Sequence, residues 1–201
     1  MRNYKKRFMP NCNFRSFIAI DIPLAIRQDI AKVTSNLRKN IPNQAVRWVR
    51  LENIHLTLRF LGEITEEKLG FLVEQIQPKL EKVSRFNVSV IGIGAFPNIH
   101  KARVLWMGLQ ISPDLLSTLS EMDAVIIILG IPNDHKFSPH LTIGRVNRNA
   151  SSLDYARIES LITNTHVGTL GNFQVQSINI YKSDLTPNGP VYTRLYSITI
   201  S

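Results

Sequence analysis

The sequence predicts an α+β fold with antiparallel sheets packed as one body. Three observations lead there. β-branched and aromatic runs alternate with segments of helical apolar spacing, about eight of the first and four of the second. No Ser/Gly-rich linker or low-complexity tract separates the halves. The 201 residues, 44% apolar and 19% charged, supply one ordinary core rather than several, and exclude wholesale disorder.

The elements follow in chain order. Residues 1–14 read as a basic, disordered extension carrying Arg2, Lys5, Lys6 and Arg7, and 15–201 as the single folded domain. Arg15–Asp21 is the first strand, after which Asp21 is expected to N-cap a helix with Pro23 in its first turn. Ile26, Ile30, Val33 and Leu37 mark that helix, stopped by Asn40 and Pro42. Ala45–Val49 and Ile54–Phe60 are extended. In the second run, alternation sets His55, Thr57 and Arg59 on one face and Leu56, Leu58 and Phe60 on the other.

Thr65 is placed to cap a second helix along Leu69, Leu72, Ile76 and Leu80, with Pro78 disturbing its last turn. Strands over Phe86–Ala95 and Ala102–Leu109 come next, then a helix opened by Ser112, Pro113 and Asp114. Val125–Leu129 fits either the buried end of that helix or a short strand. Lys136–Val146 is a strand and Leu153–Thr163 a fourth helix. Phe173–Lys182 is expected to pair with Val191–Ile200 around Asn188-Gly189. The count implies two sheets.

Lys and Arg number 24 against 15 Asp and Glu, a net charge of +9. Such a field favours polyanionic partners, nucleic acid or phosphorylated small molecules first. The longest apolar stretch, Ala124–Ile131, is far short of the roughly 20 residues of a membrane span, so no membrane role is expected. One cysteine, Cys12, can form neither an internal disulfide nor a thiolate metal cage, and suits the cytoplasm.

The informative feature is a repeat: His55-Leu56-Thr57-Leu58 and His140-Leu141-Thr142-Ile143, each on a predicted strand. On a strand, residues two apart share a face, so each motif sets an imidazole beside a hydroxyl while its Leu enters the core. Two such strands facing one cleft would bring two imidazoles to one phosphorus centre. In-line displacement there needs a base for the attacking water and an acid for the leaving oxygen, and histidine serves as either near neutral pH. Threonine hydroxyls can steady the non-bridging oxygens. No metal is required by this scheme, and His100, His135 and His166 show no ligand spacing.

Arg59 and Arg145 follow the two motifs, and either could offer a forked pair of hydrogen bonds to phosphate. Strict alternation keeps Arg59 on the face of His55 and turns Arg145 away from that of His140. A bulge near Gly144 would re-aim it. Phe137, just before the second motif, is placed to stack a base.

These residues carry a family resemblance. It runs through Arg15-Ser16-Phe17-Ile18-Ala19-Ile20-Asp21, Trp48-Val49-Arg50, Glu52-Asn53-Ile54-His55-Leu56-Thr57-Leu58-Arg59-Phe60-Leu61-Gly62 and Gly94-Ala95-Phe96-Pro97. It continues in Arg103-Val104-Leu105-Trp106, Phe137-Ser138-Pro139-His140-Leu141-Thr142-Ile143-Gly144-Arg145, Tyr181-Lys182-Ser183 and Gly189-Pro190-Val191-Tyr192. The chain resembles the two-histidine phosphoesterases, specifically the RNA 2′,3′-cyclic phosphodiesterases also called 2′-5′ RNA ligases. The resemblance implies a bilobal fold: two antiparallel sheets flank a central cleft, helices lie on the outer faces, and each lobe gives one His-x-Thr strand. It implies metal-independent hydrolysis of an RNA 2′,3′-cyclic phosphate to a 2′-phosphate; no cofactor and no obligate protein partner are expected, and the chain is expected to be a monomer. By motif, His55 would be the proton donor and His140 the acceptor, with Thr57, Thr142 and Arg145 on the phosphate, which overrides the parity preference for Arg59. The basic extension departs from the family pattern.

The competing readings are a phosphodiesterase for small cyclic nucleotides or 2′-5′ oligonucleotides, 2′-5′ ligation as the same attack reversed, and an RNA- or nucleotide-binding module without turnover. Binding alone needs no acid–base pair, so two histidines favour an enzyme.

Overall fold

The computed structural model describes residues 13–132, 137–187 and 189–201. The expected extension lies outside these residues up to Cys12, as do His135, Lys136 and Asn188. Nine strands and four α-helices follow in order: β1 Phe14–Asp21, α1 Leu24–Asn40, β2 Val46–Trp48, β3 His55–Ile64, α2 Glu66–Leu80, β4 Phe86–Phe96, β5 Val104–Gln110, α3 Pro113–Ile128, β6 His140–Val146, α4 Ser152–Asn164, β7 Thr169–Val175, β8 Ser177–Thr186 and β9 Gly189–Thr199. Short 3₁₀ turns cover Leu51–Asn53 and Ile99–Lys101.

The strands form one antiparallel sheet in the order β7-β4-β5-β6-β3-β1-β8-β9, with β2 paired to β6. The two sheets expected from the strand count are therefore one, closed at the middle by a single register pair, Leu56 with Leu141. Strand count differs for a related reason. The run read as one strand over Phe173–Lys182 is two, because β7 pairs β4 while β8 pairs β1 and β9, and the chain crosses between the sheet's two ends at Gln176. Local propensity is continuous through that crossing, and pairing is not.

Helices sort by sheet half. α1 touches β7 and α4, and α4 touches β4; α2 touches β9 and α3. α1 thus follows β1 in sequence but crosses to the other half, where Ile26 packs so closely on β7 that a Cβ at Gly171 would lie 2.5 Å from it. Val125 and Ile126 are buried on α3, so the ambiguous 125–129 run is that helix's buried end. α2 continues through Pro78, and Thr65 caps it through the Lys68 amide as expected. α1 has no side-chain cap. Its N-cap is Pro23, and Asp21 stays in β1, where the ladder holds it opposite His55.

Candidate active site

His55 is the first residue of β3 and His140 the first of β6. Each ring is pinned in the same way. His55 Nδ1 donates to the carbonyl of Asn53 at 2.8 Å, and His140 Nδ1 donates to the carbonyl of Ser138 at 2.7 Å. A carbonyl can only accept, so the proton sits on Nδ1 and each Nε2 is left for chemistry. Between them, Leu56 and Leu141 are fully buried and directly paired. The antiparallel sense of that pair sets His55 across from Thr142 and Thr57 across from His140, so the two motifs are related by a local twofold.

The symmetry extends to a bulge just after each threonine. In β3, Thr57 faces Ala19 but Arg59 faces Ile18, leaving Leu58 as the extra residue. In β6, Thr142 faces Trp106 but Gly144 faces Leu105, leaving Ile143 as the extra residue. Each bulge reverses the alternation beyond it. Arg145 is thereby brought onto the face of Thr142, where it is exposed, which is the re-aiming that a bulge near Gly144 was expected to cause. The same device moves Arg59 off the face of His55 to the buried side with Ile18. There its guanidinium makes a forked pair with Asp123 of α3 and bonds the Leu58 carbonyl. Gly144 has no room for a side chain: a Cβ would lie 2.8 Å from Val46 and 3.2 Å from Trp48.

Aromatic rings enclose the histidines unequally. Phe17 stacks on His55 at 4.8 Å and on Tyr181 at 5.4 Å, while Tyr192 meets His55 edge-on at 5.3 Å. His140 meets Phe96 edge-on at 5.0 Å, and Phe96 in turn lies 5.2 Å from Trp106. Phe137 packs against the core with the Arg59 guanidinium 5.6 Å from its ring. A cavity of about 240 Å³ beside His55 is bordered by Phe17, Asp21, Asn53, Tyr181 and Tyr192. A larger one, about 430 Å³, lies between α1 and Trp48 and is bordered by neither histidine.

Burial pushes the His55 pKa below its ordinary 6.5. The Asn53 carbonyl and the Asp21 charge pull it back up, and His140 and Arg145 push it down further. Asp21 is itself held by the Tyr181 hydroxyl at 2.6 Å, by Asn179 Nδ2 at 3.2 Å and by Arg194 at 3.5 Å. Burial also raises the Tyr192 pKa, an effect that Arg145 opposes. The hydroxyls of Thr57 and Thr142 and the guanidinium of Arg145 make no hydrogen bond among the described residues. Such a set, two free imidazole nitrogens, two free hydroxyls and a free guanidinium, can bind an oxyanion and move protons at it.

Residues 20–106 match the family described as LigT-like phosphoesterase. An RNA 2′,3′-cyclic phosphodiesterase of Methanothermobacter thermautotrophicus is 31% identical over 180 residues, covering 89% of this chain and 95% of the relative. The chain belongs to the LigT-like phosphoesterase family. A second relative of the same description, from Methanocaldococcus jannaschii, is 35% identical over 89% of this chain and 96% of its own. Among solved structures, a Thermus thermophilus protein superposes with a TM-score of 0.76 at 26% identity, covering 92% of this chain and 97% of that one. Escherichia coli LigT, crystallised with 3′-AMP, gives 0.74 at 24% identity over 94% and 99%, a likeness of fold. The expectation that the chain is a cyclic phosphodiesterase is borne out at the level of this LigT-like family, as is a mixed fold of four helices and antiparallel strands, the strands forming one curled sheet where two were expected.

Sequence reasoning missed Asp21, Tyr181, Tyr192, Phe17 and Phe96. Asp21 had a legible signal, since Phe17, Ala19 and Asp21 alternate on one strand face. The tyrosines had none, because the β8–β9 hairpin reaches His55 only through the sheet order. Among the described residues no group of His, Cys, Asp or Glu is arranged to hold a metal ion, and no helix is long and apolar enough to cross a membrane.

Proposed function

We propose that the protein hydrolyses the 2′,3′-cyclic phosphate at an RNA end to a 2′-phosphate, using His55 and His140 and no metal or other cofactor. One observation carries the reading: both imidazoles present an unoccupied Nε2 beside a threonine of the facing motif, across one buried leucine pair. Water attacks phosphorus in line with the 3′ oxygen. His140 Nε2 takes the water proton as the new P–O bond forms, and His55 Nε2–H gives its proton to the 3′ oxygen as the P–O3′ bond breaks. The product keeps its phosphate on the 2′ oxygen and regains a 3′ hydroxyl.

Thr57, Thr142 and Arg145 donate to the non-bridging oxygens, where negative charge is held through the transition state. The anionic phosphate also favours a protonated His55, against the burial that disfavours it. The two halves of the sheet act as lobes on either side of this centre, each giving one motif. For the terminal base, Tyr192, bordering His55, is better placed than Phe137, whose ring meets Arg59. With a 5′ hydroxyl in place of the attacking water, P–O5′ forms as P–O3′ breaks and the product is a 2′-5′ linkage, a ligation that abundant water disfavours. A cytoplasmic monomer completes the proposal.

The test is incubation with an oligoribonucleotide ending in a 2′,3′-cyclic phosphate in the presence of EDTA. The expected product is a 2′-phosphate, lost in both His55→Ala and His140→Ala. Turnover that survives either substitution would sink the assignment.

A further inference from the structure

Arg47 of β2 stands directly opposite Arg145 of β6 in the ladder. Directly paired residues share a face, so Arg47 projects on the cleft side with Arg145 and Thr142. Two like charges in that relation repel, and both side chains are exposed. Neither guanidinium has a carboxylate, carbonyl or ring partner among the described residues. Three other arginines near the sheet are held by protein groups: Arg59 by Asp123, Arg194 by Asp21, and Arg38 by the Val49 carbonyl and the Trp48 ring. An unpartnered pair of cations facing each other costs the folded state something and gains it nothing internally. An anion between or beside them removes the repulsion.

The position says which anion. Arg145 is the nearer of the two to the motif threonine, three residues along β6 from Thr142, and Arg47 stands one strand further out, beyond the reacting centre. Strands joined in an antiparallel pair set opposed Cα atoms about 4.5–5.5 Å apart, so the two forks can hold successive phosphates of one strand. We infer that Arg47 binds the phosphate immediately 5′ of the reacting nucleotide in an RNA chain, making the enzyme a reader of strands rather than of lone cyclic nucleotides. This rests on the proposed reaction for its direction along the strand, while the cationic site itself does not depend on turnover.

Two measurements test it. The first compares kcat/KM for an oligoribonucleotide 2′,3′-cyclic phosphate with that for a nucleoside 2′,3′-cyclic monophosphate, which lacks the upstream phosphate. Arg47→Ala should lower the oligonucleotide-to-mononucleotide ratio about tenfold, the scale of one charge-assisted contact, with Arg47→Lys in between. An unchanged ratio, whether both rates fall or neither does, overturns the inference. The second is equilibrium binding of an oligoribonucleotide with a plain 3′ hydroxyl across a salt series. The slope of log K against log salt should become shallower by about 0.7 in Arg47→Ala, one single-strand phosphate contact. An unchanged slope overturns it. Arg47→Ala should melt no lower than the parent, since it relieves a repulsion, and Arg47→Gln gives the same readouts with the stem retained. If the parent opens neither substrate, the proposed reaction has failed, and the salt slope still decides whether Arg47 holds a strand.

Discussion

Leu56 and Leu141 face each other at the one register pair that joins β3 to β6 among the described residues, and each is flanked by a histidine on one side and a threonine on the other. Two fully buried side chains at the middle of the sheet thus hold the two motifs side by side. Truncating either leucine opens a cavity at the single pair that joins the two halves of the sheet.

Leu141→Ala should cost about 2–5 kcal/mol in urea denaturation and lower kcat, whereas Leu141→Met should cost less than about 1.5 kcal/mol and keep activity. Equal activity loss in both variants would show that volume at this pair does not set the histidine geometry.

His55 carries the pH dependence with a definite sign. Its folded pKa lies below 6.5, so folding favours the neutral ring, and the stability it contributes is full above 6.5 and lost as pH falls through the lowered value. For the proposed activity the requirement is reversed, since His55 as proton donor must be charged. The alkaline limb of kcat/KM, which reports the free enzyme, should therefore lie below pH 6.5. Asp21→Asn removes the carboxylate that pulls this pKa up and should move that limb to still lower pH, with Asp21→Glu restoring part of the shift. A limb that stays in place in Asp21→Asn would show that Asp21 acts through packing alone.

Arg59 and Asp123 form an ion pair between β3 and α3 with side chains 12% and 18% exposed. Asp123→Ala leaves the arginine buried and unpaired, and should cost about 3–5 kcal/mol in chemical denaturation. The double substitution Arg59→Met with Asp123→Leu should recover most of that, and should keep the cyclic phosphodiesterase rate. A rate collapse in a well-folded double variant would return Arg59 to the phosphate site.

Much of this was legible in one dimension. Apolar spacing located four helices, alternation located the strands around both motifs, and the His-x-Thr repeat picked out the two histidines and two threonines that the sheet brings together across Leu56 and Leu141. These are local properties, fixed by a side chain's chemistry and by the two-residue period of a strand. They could not say how far an element continued once its neighbours changed, which is why 173–182 read as one strand although its halves pair at opposite ends of the sheet.

Tertiary structure decided what each residue faces. Asp21 reads as a helix cap because it precedes Pro23, yet the ladder holds it in β1 opposite His55, where Tyr181, Asn179 and Arg194 from two later strands meet it. Arg59 and Arg145 differ by a single step from their threonines, two residues against three. One extra residue after each threonine is enough to send the first to Asp123 and the second to the cleft. The sequence by itself determined which groups are available for phosphoryl chemistry. Which of them share the face of the two histidines was decided by bulges and strand order, since a register is a property of two strands and neither carries it alone.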